Sequence, residues 1–242
     1  MYKRQPYQQT YSTSHANIAA DAQVSERAAF IRNTYLHLLG AILAMVALDA
    51  LIITAFDEQL ASIVPMVRSG WNWMFVLGAF MVVAYIADRW AHSNTSRSMQ
   101  YVGLGTYVFA EALLFVPLLY IANHFAPGAI ASAGIVTAFV FGGLTIIVFL
   151  TKYDFSMLRS ALCVGGLVAM ALIVAGIAFG FDLGLWFSVA MVLLASGSIL
   201  YSTSNVLRHY NTNQHVAASL SLFASVALLF WYVLQIFMHF DE

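Results

Sequence analysis

Apolar residues run along this chain in seven long blocks, at about 30–55, 73–90, 100–122, 129–151, 158–180, 184–204 and 216–238, separated by short polar breaks. About 20 apolar residues in helical conformation cross the hydrocarbon core of a bilayer, and each block is of that order. A lipid-embedded segment must satisfy its own backbone hydrogen bonds, which selects helix or closed barrel, and continuous apolar runs select helix. The pattern therefore predicts an all-α, polytopic membrane protein of seven transmembrane helices. The breaks are short, so the spans form one bundle domain over 27–240. Residues 1–26 are expected to be a polar, disordered cytoplasmic tail, and the first span is expected to act as the targeting signal.

Composition agrees. The chain is 62% hydrophobic and 9% charged, with mean hydropathy +0.81. Soluble domains run near 45–50% apolar and about 25% charged, so a soluble fold would lack the residues to cover its surface. The net charge of -1 and the absence of a basic stripe exclude nucleic acid as a partner. The single cysteine, Cys163, falls in the fifth block, so no internal disulfide can form.

Charge placement adds an orientation. With seven spans, Lys3, Arg4, Arg27, Arg32, Arg89, Arg97, Lys152, Arg159 and Arg208 fall on one side and Arg68 alone on the other. Cytoplasmic loops carry the excess of Lys and Arg, which places the N-terminus in the cytoplasm and Phe240-Asp241-Glu242 outside. The competing topology has six spans and a re-entrant last segment, because that block begins at His215 and contains Ser219, Ser221 and Ser225. Trp71, Trp73, Trp90 and Trp186 fall at block ends, where an amphipathic ring prefers the headgroup layer.

Polar groups inside the blocks are the candidate chemistry, because a charge within a span is costly and needs a reason. Glu111 is the clearest. Pro117, six residues later, removes the hydrogen bond to the Leu113 carbonyl and predicts a kink. A carboxylate beside a freed carbonyl can line a cation or proton path; the alternative is a protonated carboxyl bonded to a neighbouring helix. Asp49 is a weaker candidate, since the first helix could end near it and let it reach the interface. Asp88 and Arg89 close the second block and read as interfacial. The run Ser202-Thr203-Ser204-Asn205 could coordinate an ion or bond its own carbonyls one turn back, and the second reading is preferred. Gly142 and Gly143 predict close helix packing, as does the spaced pair Gly176 and Gly180.

Enzymatic readings find no support. The histidines share no span at metal-ligand spacing, and neither a His-Glu-x-x-His pattern nor a Gly-x-Ser-x-Gly elbow occurs. No catalytic residue, cofactor or metal site is expected.

Thr137-Ala138-Phe139-Val140-Phe141-Gly142-Gly143-Leu144-Thr145, followed by Thr151-Lys152-Tyr153-Asp154-Phe155-Ser156-Met157-Leu158, resembles the signature of the Bax inhibitor-1 family, in its bacterial YccA-like and YetJ-like branch. Phe30-Ile31-Arg32-Asn33-Thr34-Tyr35, Leu200-Tyr201-Ser202-Thr203-Ser204-Asn205 and Ala217-Ala218-Ser219-Leu220-Ser221-Leu222-Phe223 extend the resemblance across about 27–238. It implies six helices around a central seventh, a cytosolic N-terminus, pH-controlled calcium leak, and roles in stress response and cell-death suppression or in restraint of a membrane protease. It also implies a pH-sensing pair of aspartates, one in the sixth span and one in the seventh. Two nearby carboxyls in low dielectric share a proton and titrate as a pair. Here those positions hold Ser202 and Ser225, which do not titrate, although a hydrogen bond between them could still tie the helices together.

The expected function is thus cation leak, with Ca2+ as a candidate permeant ion, or its regulation, without the aspartate latch. Glu111, Asp49, Ser202 and Ser225 are the ion-path or gating candidates. The alternative is a non-conducting regulator of another membrane protein. The expected partners are the lipid bilayer and such a protein, with a monomer favoured, in a bacterial inner membrane.

Overall fold

A computed structural model describes residues 18–93, 96–151 and 153–240, with Arg68 as backbone only. Lys3, Arg4, Lys152, Asp241 and Glu242 lie outside the described residues, as does the tail over 1–17.

Among the described residues, seven helices are long and apolar enough to cross a membrane. They are α1 (Val24–Ala55), α3 (Gly70–Ala91), α4 (Arg97–Phe125), α5 (Ala129–Leu150), α6 (Leu158–Phe179, preceded by a 3-10 turn at Phe155–Met157), α7 (Gly184–Arg208) and α8 (His215–Phe240). Each expected span is present. Some hydroxyls within the spans bond back one turn, as Thr34 does to the Phe30 carbonyl at 2.9 Å and Ser196 to the Val192 carbonyl at 2.8 Å.

One helix was not expected. The connection after the first span contains α2 (Asp57–Arg68), too short to cross a membrane. Its Leu60 and Val64 lie one turn apart and are buried against Ile52 and Ile53 of α1 and Val116, Tyr120 and Ile121 of α4. Asp57 and Glu58 in its first turn favour the positive end of the helix dipole.

Helix α8 is one continuous helix of 26 residues, which excludes a re-entrant last segment. It packs against α1, α3, α4, α5 and α7 and buries Leu222, Phe223, Leu229 and Leu234 almost completely. It is the central helix, with α4 the other deeply buried one. Helix α6 lies further out, against α3 and α7, and adds Ala169 to a small cluster with Met191 of α7 and Tyr232 of α8. At one end of the core, Trp73 of α3 stacks on Trp231 of α8, which meets Phe115 of α4 edge-on.

The close helix approach occurs at Gly103, not at Gly142 and Gly143. A Cβ at Gly103 would sit 2.5 Å from the Ala91 nitrogen and 2.6 Å from the Ala87 oxygen, so α3 and α4 touch backbone to backbone there. A Cβ at Gly142 or Gly143 would meet nothing within 4 Å. Gly180 is not a packing residue either. It ends α6 at φ 72° and, with Phe181, donates to the Gly176 carbonyl.

Ahead of α1, within the stretch 1–26 expected to be a disordered tail, the chain from Ile18 is tied to the α7–α8 loop. The Ala19 N–H donates to the Tyr210 carbonyl at 2.9 Å, Ile18 forms an isolated bridge with Asn211, and Ala19 is fully buried. This strap holds the start of α1 on the α7–α8 loop.

Candidate functional site

Ser198 and Ser202 are four residues apart on α7, and Ser221 and Ser225 four apart on α8. Each pair therefore shares one face of its helix, and the two faces meet. Ser225 Oγ lies 2.9 Å from Ser198 Oγ and 3.1 Å from Ser202 Oγ. Ser221 Oγ donates to Ser202 Oγ at 3.1 Å, and Ser225 Oγ also donates to the Ser221 carbonyl at 3.0 Å. The result is a chain of hydroxyls, Ser198–Ser225–Ser202–Ser221, along the α7–α8 seam. Ser202 and Ser204 bond across to other elements, not to their own carbonyls one turn back as the spacing suggested.

The hydroxyl chain borders a cavity of about 1560 Å³ between α3, α4, α6, α7 and α8. Its lining reaches both ends of the bundle, with Asp88, His92 and Tyr210 at one and Asp182, Gln235 and His239 at the other. Glu111 of α4 lines it as well. That residue is 6% exposed, and its Oε2 has no hydrogen-bond partner among the described residues. Tyr107, one turn earlier on the same helix, lines the cavity and packs edge-on against Phe223. Helix α4 runs unbroken through Pro117.

Asp49 is inside the bundle and not at the interface. Helix α1 continues to Ala55, and Asp49 is 4% exposed with its Oδ1 unpartnered. It sits on α1 away from the cavity lining, close enough to Glu111 for Coulomb interaction.

A histidine–carboxylate pair marks one cavity mouth. His92 Nδ1 lies 3.3 Å from Asp88 Oδ1, and Nε2 lies 3.4 Å from the Tyr210 hydroxyl. The Asp88 carboxylate raises the His92 pKa above its ordinary value, while burial pushes Tyr210 up to about 12. At the same end of the bundle, the Tyr153-Asp154-Phe155-Ser156 motif is structural. Asp154 Oδ1 accepts from the Ser156 N–H at 2.9 Å and from Ser204 Oγ at 3.2 Å, and Ser204 Oγ accepts from the Phe155 N–H. Those bonds hold the Asp154 pKa below its ordinary value.

Of the candidates read from the sequence, the structure brings Ser202, Ser225 and Glu111 to one cavity and leaves Asp49 beside it. Ser198, Ser221, Tyr107, His92 and Tyr210 were not singled out. The matching four-residue spacing of the two serine pairs was the available signal.

A profile of the family described as Inhibitor of apoptosis-promoting Bax1 matches residues 27–242. The chain belongs to the Bax inhibitor-1 family. Among its curated relatives, an uncharacterized protein of Pseudomonas aeruginosa is 29% identical over 223 residues, covering 90% of this chain and 93% of its own. An uncharacterized protein of Neisseria meningitidis serogroup A is 29% identical over 164 residues, 66% of this chain and 70% of its own. An uncharacterized membrane protein of Vibrio cholerae is 30% identical over 144 residues, 59% of this chain and 64% of its own. Outer-membrane spanning proteins are barrels; a helical Bax inhibitor-1 bundle with bacterial relatives is a multi-pass protein of the inner membrane.

Proposed function

We propose that this Bax inhibitor-1 family member permits or regulates cation leak through the cavity between α3, α4, α6, α7 and α8, without a carboxylate latch. The observation that carries this reading is Glu111, buried mid-helix on a cavity whose lining reaches both ends of the bundle, with one oxygen unpaired. A buried ionisable group facing a polar cavity in a membrane is a mark of an ion or proton path. The test is cation flux from proteoliposomes across pH 5–8. Flux above empty liposomes, reduced by Glu111→Gln, is expected; background flux at every pH would end this reading. The N-terminus is assigned to the cytoplasm, supported by Arg27, Arg32, Arg89, Arg97, Arg159 and Arg208, which the helix alternation gathers at one end.

The second reading is a non-conducting regulator of another membrane protein, such as a protease or a death-pathway component. The strap Ile18–Asn211 favours it, because it ties the chain just ahead of α1 to the α7–α8 loop at one face of the bundle, where a partner can dock. Crosslinking in native membranes followed by purification separates the two: a co-purifying membrane protein lost on deleting residues 1–17 supports the second reading.

A further inference from the structure

The sort of cation can be argued from the donors. We propose that the cation this cavity carries is the proton, passed along the hydroxyls of Ser221, Ser202, Ser225 and Ser198 and held deeper in the bundle by Glu111. The inference rests on the cation-leak reading and narrows it.

Calcium takes about six to eight oxygen ligands, commonly with several carboxylates among them. The α7–α8 seam offers four hydroxyls, all neutral, and three bonds of 2.9–3.1 Å already join them to one another. A serine hydroxyl is both donor and acceptor and rotates freely. In the Ser198–Ser225 and Ser202–Ser225 pairs either oxygen can be the donor, and Ser221 donates to Ser202, so the chain can be polarised from Ser221 toward Ser198. Such spacing is poor for stripping water from a divalent ion and well suited to handing on a proton.

The order of groups along the bundle is that of a relay. At one mouth, His92 lies beside Asp88 and within 3.4 Å of the Tyr210 hydroxyl, which neighbours Ser221. The hydroxyl chain runs inward from there. Ser198 and Ser225 are each ten residues from the end of the bundle that Arg208 and His215 mark, and Glu111 is fourteen from Arg97 at the same end. At 1.5 Å per residue the carboxyl is therefore about one turn deeper. A cavity of about 1560 Å³ has room for water across that gap, since each water occupies about 30 Å³. Beyond Glu111, Ser188 Oγ donates to Gln235 Oε1 at 3.1 Å, and Asp182 and His239 stand at the far mouth.

The transfer balances without a co-reactant. Each hydroxyl oxygen takes a proton on a lone pair as its own O–H proton passes to the next oxygen. The Glu111 carboxylate takes the proton as a carboxylic acid and releases it toward the far mouth. The hydroxyls then rotate back. Glu111 is faced by Asp49 from α1 and Tyr107 on its own helix, and the cavity adds Asp88 and His92, Arg159 of α6, Tyr232 of α8, Asp182 and His239.

The full-length protein in liposomes, with a pH-sensitive dye inside and a potential set by potassium and valinomycin, reads proton flux. A parallel set with a calcium-sensitive dye reads Ca2+ flux. The expected result is proton flux above empty liposomes, slower in heavy water, with Ca2+ flux at background. Ser225→Val removes the hydroxyl and should lower proton flux roughly fivefold or more, as for losing one hydrogen bond from the chain. Ser225→Thr has the size and branching of the Val variant but keeps a hydroxyl and should retain the flux, which separates the relay from misfolding. Ca2+ flux without proton flux overturns the proton inference and leaves cation leak standing. Flux of neither ion overturns both. Proton flux unchanged by Ser225→Val and by Glu111→Gln also overturns the relay.

Discussion

The hydroxyls of Ser202 and Ser225 lie 3.1 Å apart across the seam between α7 and the central helix α8, both nearly inaccessible to solvent. At that distance two aspartates would share one proton, because two ionised carboxylates cannot both be buried there cheaply. The serines keep the contact and discard the titration. The double substitution Ser202→Asp with Ser225→Asp should therefore confer pH dependence. At least one of the new carboxyls would have a folded pKa above its unfolded value, so the folded state holds the extra proton. The stability contribution is then present at acid pH and lost as pH rises through that raised value. Thermal unfolding in detergent should show the double mutant losing Tm between pH 5 and pH 8 relative to wild type. A parallel pH profile for the two proteins would refute the shared-proton geometry.

Gly103 lies where α3 and α4 meet backbone to backbone, and the atoms a Cβ would strike belong to the main chain at Ala87 and Ala91. Main chain cannot rotate aside as a side chain can. Gly103→Ala should destabilise the bundle by about 1–3 kcal/mol, the usual cost of overpacking. Gly142→Ala and Gly143→Ala point into open space and should leave Tm within about 0.5 kcal/mol of wild type. Chemical or thermal unfolding of the three variants side by side checks the ranking, and a reversed ranking would overturn this account of the packing.

That contrast shows what the sequence could and could not reveal. The seven spans were legible because crossing a bilayer depends on a one-dimensional property, the length of an apolar run. The serine contact was legible because the family resemblance pairs positions 202 and 225. Which glycine meets a neighbour was not, because packing depends on the rotation of each helix, and Gly142-Gly143 and Gly103 look alike as letters. Helix α2 was missed because Leu60 and Val64 are a single-turn apolar pair, too little to stand out beside 20-residue blocks. Asp49 read as interfacial because the end of an apolar helix is indistinct, and only the continuation of α1 to Ala55 put the carboxyl inside.

Asp154 fixes the turn into α6 by accepting from the Ser156 N–H and from Ser204 of α7. Asp154→Ala should lower stability by about 1 kcal/mol, the typical cost of a lost cap. Its folded pKa is depressed from 3.8. The contribution is therefore fully present above the unfolded value and disappears as pH falls through the lower folded one. The Tm difference between wild type and Asp154→Ala should be constant near neutral pH and narrow below about pH 3.8. A difference that persists unchanged into strong acid would assign the effect to packing and not to the charge.

His92 titrates in the opposite sense. The adjacent Asp88 carboxylate, 3.3 Å away, favours the imidazolium and raises the folded pKa above 6.5, against a smaller opposing effect of burial. The stability this pair contributes is complete below pH 6.5 and is lost as pH rises through the raised value. Both side chains are partly open to water, so solvent screens the interaction and the effect on Tm should be small. The titration itself is the sharper readout. In detergent micelles, the His92 ring-proton resonance should move with a midpoint above 6.5, and Asp88→Asn should bring that midpoint down while Tyr210→Phe moves it less. A midpoint indifferent to Asp88→Asn would break the link between His92 and Asp88, and with it the assignment of this pair as the proton-loading end of the cavity.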